Sequence, residues 1–195
     1  MVRVWPSQVT SARFGLVQRT PSARSALGRI LDAAPRALKF LDINLRKGCF
    51  SAETVRGSLE RADVLKLNDV EARALRGMLG LRGKTVPALA RELRRRWRLD
   101  ACVVTLGEEG VFAVSEEGEL ALPGRRVQVV DTIGSGDAFS AAFVALRLRG
   151  RSLGDCCFFG NVLGALAASR KGATAAIGID EIERFAGRPL RPLLA

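Results

Sequence analysis

The sequence predicts an α/β protein built on a mainly parallel sheet, and three observations carry that expectation. From residue 38 onward, short apolar runs of strand length alternate with longer segments in helical period, the pattern of repeated βα units. The run DACVVTLG (100–107) is almost wholly apolar, as a strand buried on both faces is. The C-terminal part reads as successive helices, with Gly150 behind Arg147 and Arg149 and Gly172 behind Arg170 and Lys171, placements that suit helix C-termini.

Taken in order, MVRVWPSQVTSARFG gives no clean period, and RTPSARSALGRILDAA predicts a capped helix from Ser22. ALKFLDIN is the first expected strand. SAETVRGSLERA predicts a helix capped by Ser51, with Thr54, Val55, Leu59 and Ala62 roughly on one stripe, and it runs into the strand DVLKLN. NDVEARALRGMLG and KTVPALARELRRRWRL follow as helices, then the buried strand DACVVTLG. EEGVFAVSEEGELALPGRRVQVV predicts two or three short antiparallel strands, with Glu116-Glu117-Gly118 at a hairpin. SGDAFSAAFVALRLRG, SLGDCCFFGNVLGALAASRKG and DEIERFAG close the chain as helices.

With 195 residues, 48% of them hydrophobic, the chain can bury one sizeable core and is expected to form a single domain over residues 1–195. No apolar stretch reaches the roughly 18 residues of a membrane span, and the N-terminus lacks the apolar core of a signal peptide. A soluble, cytoplasmic protein without a membrane partner is expected. Cys49, Cys102, Cys156 and Cys157 contain no CxxC pair and read as core thiols. The sequence has no histidine, which excludes Ser-His-Asp and Cys-His nucleophile systems and imidazole-bound zinc. Acid-base work must fall to Asp, Glu, Lys or water.

The net charge of +11 raises the question of nucleic acid. In the most basic helix, Val86, Leu89, Ala90, Leu93 and Trp97 recur at helical spacing, which sends Arg91, Arg94, Arg95 and Arg98 mostly to an outer, solvated face. The few aromatics do not interleave with the basic residues as stacking platforms do, which disfavours nucleic acid as a partner.

The most informative stretch is DTIGSGDAF (131–139), between an apolar run and an alanine-rich helix. Successive backbone N–H groups of Gly134, Ser135 and Gly136 at a helix start form an anion site, and glycine lets a phosphate approach the backbone. Asp137 then falls in the first helical turn. There it is placed either to accept a proton from a hydroxyl attacking that phosphate or merely to stabilise the helix start. Two other nucleotide signatures fail. Gly83-Lys84-Thr85 has Met78 where a Walker A loop needs glycine, and Phe139 stands where a dinucleotide fingerprint needs its third glycine.

DTIGSGDAF resembles the C-terminal signature of the PfkB, or ribokinase-like, carbohydrate kinases. Four further stretches are similar to that family's motifs in the family's order: LDINLR (41–46), KLNDVEA (66–72), VVTLGEEGVF (103–112) and NVLGALAASRKGA (161–173). The resemblance implies a ribokinase-like three-layer αβα fold with a mainly parallel central sheet, and an ATP- and Mg²⁺-dependent kinase. Such an enzyme transfers a γ-phosphoryl group to a sugar hydroxyl, here with a fructokinase-like preference. It makes Asp137 the catalytic base and Gly134, Ser135 and Gly136 the anion hole. Asn68 and Glu71 would support phosphates and Mg²⁺ largely through water, and Thr105, Gly107, Gly110 and Asn161 would line the nucleotide. Asn44 and Arg46 would meet the sugar. Asp131, with backbone oxygens near Ile133, Arg170 and Gly172, would hold a potassium-like cation.

The resemblance covers about residues 14–188, with FGLVQR (14–19) matching the point just after the family's lid, while residues 1–13 do not match. The family's opening strands, glycine-rich sugar-binding segment and small β lid have no counterpart in the sequence. The resemblance therefore implies an N-terminally truncated member, through a shortened gene, a misplaced start or a decayed paralogue. One side of the sheet is then expected to lack its cover, which lowers solubility. Homodimerisation stays open, without the lid through which many relatives pair. An inactive remnant that still binds nucleotide is the alternative reading, and a basic nucleic-acid-binding protein is the further one.

Overall fold

The computed structural model describes residues 11–15 and 20–195, in which six strands and eight helices form. Residues 1–10 and 16–19, and with them most of FGLVQR, lie outside the described residues. The chain divides into two compact units: one runs to Val104 and adds Val114–Glu116, and the other comprises Thr105–Ala113 and Glu117–Ala195.

The first unit is a series of βα repeats: β1 (Ser11–Phe14), α1 (Pro21–Ala33), β2 (Leu38–Asp42), α2 (Ala52–Leu59), β3 (Val64–Asn68), α3 (Asp69–Leu79), α4 (Val86–Trp97) and β4 (Ala101–Thr105). β1 pairs with β2 and β2 with β3, both parallel, in a register that sets Arg13 beside Phe40 and Asp42 beside Lys66. β3 and β4 are buried over their first four residues, the signature of strands covered on both faces. The α4 stripe is as expected: Leu89, Ala90 and Leu93 are buried, and Arg91, Arg95 and Arg98 are exposed. Arg94 is half-buried and donates to the Asp100 carbonyl, while the exposed Arg96 donates to the Leu79 carbonyl.

The second unit holds most of β5 (Val111–Ser115), β6 (Gly118–Leu122) and four helices: α5 (Ser135–Arg147), α6 (Leu153–Ala168), α7 (Ile179–Ala186) and the short α8 (Arg191–Leu194). In the sheet, the strands neighbour one another in sequence order from β1 to β6. The connections on either side of β5 are too short for a parallel crossover, so β4, β5 and β6 run antiparallel in turn. α6 buries residues around its whole circumference, Cys156, Cys157, Phe159 and Val162 among them. The four cysteines are free and buried, and burial pushes the thiols of Cys102 and Cys156 up to about 12.

Three expectations are corrected. A strand precedes ALKFLDIN: β1 is four residues long, too short to show a period in sequence, and its parallel pairing to β2 defines it. The helix expected from Ser22 starts at Pro21 with Thr20 as its cap, since proline is favoured in a first turn where its missing N–H is no loss. RRVQVV is not a strand. The N–H groups of Val130 and Asp131 both turn to the Ala168 carbonyl at the end of α6, and Val129 and Val130 are left exposed.

Candidate active site

In the second unit the DTIGSGDAF turn leads into the start of α5. Gly134 is the N-cap of α5 with φ +83°, a left-handed conformation that suits glycine. A Cβ on it would lie 2.8 Å from the Ala173 Cβ, so the loop after α6 closes directly on this turn. No side chain caps the start of α5. Ser135 donates its N–H to the Thr132 carbonyl at 3.2 Å, tightening the turn. Asp137 stands exposed in the first turn of α5.

Asp131 holds the loops on either side. Its Oδ1 accepts the Ile133 N–H at 2.9 Å and its Oδ2 accepts the Gly172 N–H at 3.1 Å. The Arg170 side chain is directed elsewhere, to the Ala176 carbonyl and both oxygens of Glu181, so only its backbone is available to a cation.

The expected nucleotide residues are joined through the segment after β6. Thr105 ends β4, and Gly107 opens a single 3-10 turn that Gly110 closes at φ +107°. A Cβ on Gly110 would meet the Leu122 carbonyl at 2.0 Å, so this position requires glycine for backbone packing. Asn161 on α6 donates its Nδ2 to the Pro123 carbonyl at 3.0 Å, one residue from Gly124, which packs on the same turn. One turn along α6, a Cβ on Gly164 would lie 3.3 Å from the Ser135 carbonyl. α6 therefore supports both the nucleotide turn and the anion turn. Gly160 and Gly164 were not singled out from the sequence, although their four-residue spacing was its signal for a close helix contact.

The remaining candidates belong to the first unit. Asn68 and Glu71 form a capping box: Asn68 Oδ1 accepts the Glu71 N–H at 2.8 Å and Glu71 Oε2 accepts the Asn68 N–H at 2.8 Å. The second Glu71 oxygen accepts the Leu45 N–H at 2.9 Å, which brings the DINLR turn to the start of α3. Asn44 and Arg46 flank Leu45 and are exposed. Beneath them lies a cluster not foreseen from sequence: Asp42, almost wholly buried, bonds Arg13 at 2.6 Å and the equally buried Lys66 at 3.1 Å. A cavity of about 520 Å³ lies between α1 and α2 and is lined by none of the candidate residues. Among the described residues, no group of three or more His, Cys, Asp or Glu is arranged to hold a metal ion.

Comparison with solved structures shows a ribokinase-like α/β fold. The aminoimidazole riboside kinase of Salmonella enterica, solved with aminoimidazole riboside and an ATP analogue, superposes with a TM-score of 0.73 at 27% identity, over 89% of this chain and 61% of that one. The model of the pfkB family of carbohydrate kinases matches residues 11–179. The chain belongs to the pfkB carbohydrate kinase family. It is 31% identical over 167 residues to a 2-dehydro-3-deoxygalactonokinase of Haloferax volcanii, covering 83% of this chain and 51% of that protein. It is also 32% identical over 166 residues to fructokinase-1 of Oryza sativa subsp. japonica, covering 77% and 49%. The chain spans about half the length of these curated relatives.

Proposed function

We propose that this chain is an ATP-dependent carbohydrate kinase that phosphorylates a sugar hydroxyl, with a fructokinase-like preference, in the cytoplasm. The observation that carries the reading is the start of α5: a left-handed glycine cap closed by Ala173, no side-chain cap, and an exposed aspartate one turn in. Phosphoryl transfer depends mainly on positioning and on charge stabilisation, because its transition state is loose. Backbone N–H groups at Gly134 and Gly136 supply donors for the transferred group, and that of Ser135 joins them only on release of its 3.2 Å bond to the Thr132 carbonyl. Asp137 accepts the proton of the sugar hydroxyl as the O–P bond forms. In a loose transition state that proton can leave late, so little is asked of the accepting group.

Asn68 and Glu71 hold the phosphates and Mg²⁺ through water. Mg²⁺ supplies neutralisation of the charge that develops on the phosphate oxygens. Glu71 fits that role because two backbone N–H groups occupy only part of a carboxylate's roughly four acceptor positions. Thr105, Gly107, Gly110 and Asn161 shape the nucleotide surface, and Asn44 and Arg46 meet the sugar. Asp131 and the backbone at Ile133, Arg170 and Gly172 hold a potassium-like cation that orders the anion turn. The family relationship and the relatives' names, a fructokinase and a 2-dehydro-3-deoxygalactonokinase, support the substrate class.

The test is ADP release with Mg²⁺, K⁺ and a panel of fructose, ribose, 2-keto-3-deoxygluconate and nucleosides. Asp137→Asn is expected to lower kcat by about 10²–10⁴-fold, the usual contribution of a positioned base, with ATP affinity little changed. Equal turnover in the variant removes Asp137 from the mechanism. Mg-ATP binding by folded protein without turnover on any sugar favours the nucleotide-binding remnant.

A further inference from the structure

Asn44 and Arg98 are the two described non-glycine residues with positive φ. Arg98 has a local reason, as the left-handed C-cap of α4. Asn44, at φ +43°, caps no helix. It follows β2, and its exposed side chain has no partner among the described residues. What holds it are its neighbours. The Ile43 N–H donates to the Lys66 carbonyl at 3.1 Å, and the Leu45 N–H donates to Glu71 Oε1 at 2.9 Å. The capping box on α3 needs only one Glu71 oxygen, which accepts from Asn68, so the oxygen on Leu45 serves the turn. A backbone conformation that most residues avoid, fixed from both sides and bearing exposed polar groups, marks a functional turn rather than a packing accident.

We propose that Glu71 is a positioning residue for the turn 43–46. By dividing one carboxylate between the Leu45 and Asn68 amides, it keeps Asn44 left-handed, presents Asn44 and Arg46 as one polar pair to the hydroxyl-bearing substrate, and couples that pair to the α3 cap. The identity of the ligand rests on the kinase reading; the latch itself does not. Glutamine is the informative replacement, since its side chain offers one acceptor oxygen and one donor group and cannot accept from both amides.

The test is residue-resolved amide hydrogen exchange on the whole chain. In the wild type the Leu45 amide is expected to be protected while that of exposed Arg46 is not; an unprotected Leu45 overturns the proposal without any variant. In Glu71→Gln, exchange at Leu45 should speed up about 10- to 100-fold, the range of a lost charge-assisted bond, with Leu65 and Leu67 in β3 unchanged. Unchanged exchange at Leu45, or equal acceleration at all three sites, overturns the latch. The wild type is then followed as MgCl₂ and ATP are added. Retained protection of Leu45 supports the latch, and its loss shows the carboxylate drawn away and overturns it. If ATP perturbs no amide anywhere, the kinase reading fails while the exchange data still decide the latch. Where fructose-dependent turnover is measurable, Glu71→Gln should raise the fructose KM about 10-fold more than the ATP KM. A change confined to the Mg²⁺ half-saturation argues against positioning.

Discussion

Asp131 and Gly172, 41 residues apart, are joined by a hydrogen bond of 3.1 Å from the Gly172 amide to Asp131 Oδ2, while the other carboxylate oxygen holds Ile133 at 2.9 Å. One side chain thus fastens the turn before α5 to the turn after α6. Asp131→Asn leaves one acceptor oxygen and sets an NH₂ group against the second N–H donor. The expected loss is about 1–3 kcal/mol, read as a fall in Tm at about 2–4 °C per kcal/mol for a chain of this size. Because the anion turn is what loosens, phosphate or ATP affinity should fall in the same variant. A lower Tm with undiminished affinity would separate the clasp from the anion site.

The local parts of this arrangement were legible in the sequence. Ser51 caps α2 and Asn68 caps α3 through bonds three residues long, and the glycines of DTIGSGDAF announced the helix start they form. What could not be read were long-range choices. RRVQVV has the composition of a strand, but its donors at Val130 and Asp131 find the carbonyl of Ala168 instead of a neighbouring strand. KLNDVEA shows a helix cap, yet nothing in its spacing says that Glu71 also reaches Leu45, 26 residues earlier. Lys66 is a lysine within the apolar run VLKLN, and only the parallel register sets it beside Asp42.

Gly160 faces the Phe139 ring so closely that a Cβ would lie 2.8 Å from the nearest ring carbon. Phe139 is itself buried and stacks with Phe143 at 6.3 Å between ring centroids. Gly160→Val therefore overpacks the contact between α5 and α6, at an expected 1–3 kcal/mol. Denaturant unfolding should show a lower midpoint at unchanged slope. An unchanged midpoint would mean that Phe139 has room to turn aside.

Glu117 gives the second unit an acid-sensitive tie. It accepts the Leu153 N–H and an Arg147 guanidinium N–H, each at 2.8 Å, and these bonds hold its carboxyl below the usual glutamate range. Since the folded form binds the proton less readily than the unfolded chain, this stabilisation is present above the unfolded value of about 4.3. It is lost as pH falls through the lower folded value. Wild type and Glu117→Gln should thus differ in Tm at pH 7 and converge below about pH 4. The difference is expected to be modest, because the side chain is 42% exposed and solvent screens it. A gap that persists or widens in acid would contradict the linkage.

The buried pair of Asp42 and Lys66 gives the largest expected effect. Both side chains are 8% exposed and their charged atoms stand 3.1 Å apart, with Arg13 completing the cluster from β1. Lys66→Met removes one partner from a carboxylate that stays buried, and such truncations typically destabilise by about 3–5 kcal/mol; Arg13 holds the expected figure near the lower end. Replacing both members with apolar residues removes the charge that needs compensation, so Asp42→Leu combined with Lys66→Met should recover most of the loss. The double-mutant cycle by urea unfolding then reports a coupling of at least about 1 kcal/mol. If the double variant falls by the sum of the two single ones, the pair is not an interacting unit. In that case the side chain of Lys66 matters for what it fills between β2 and β3, not for its charge.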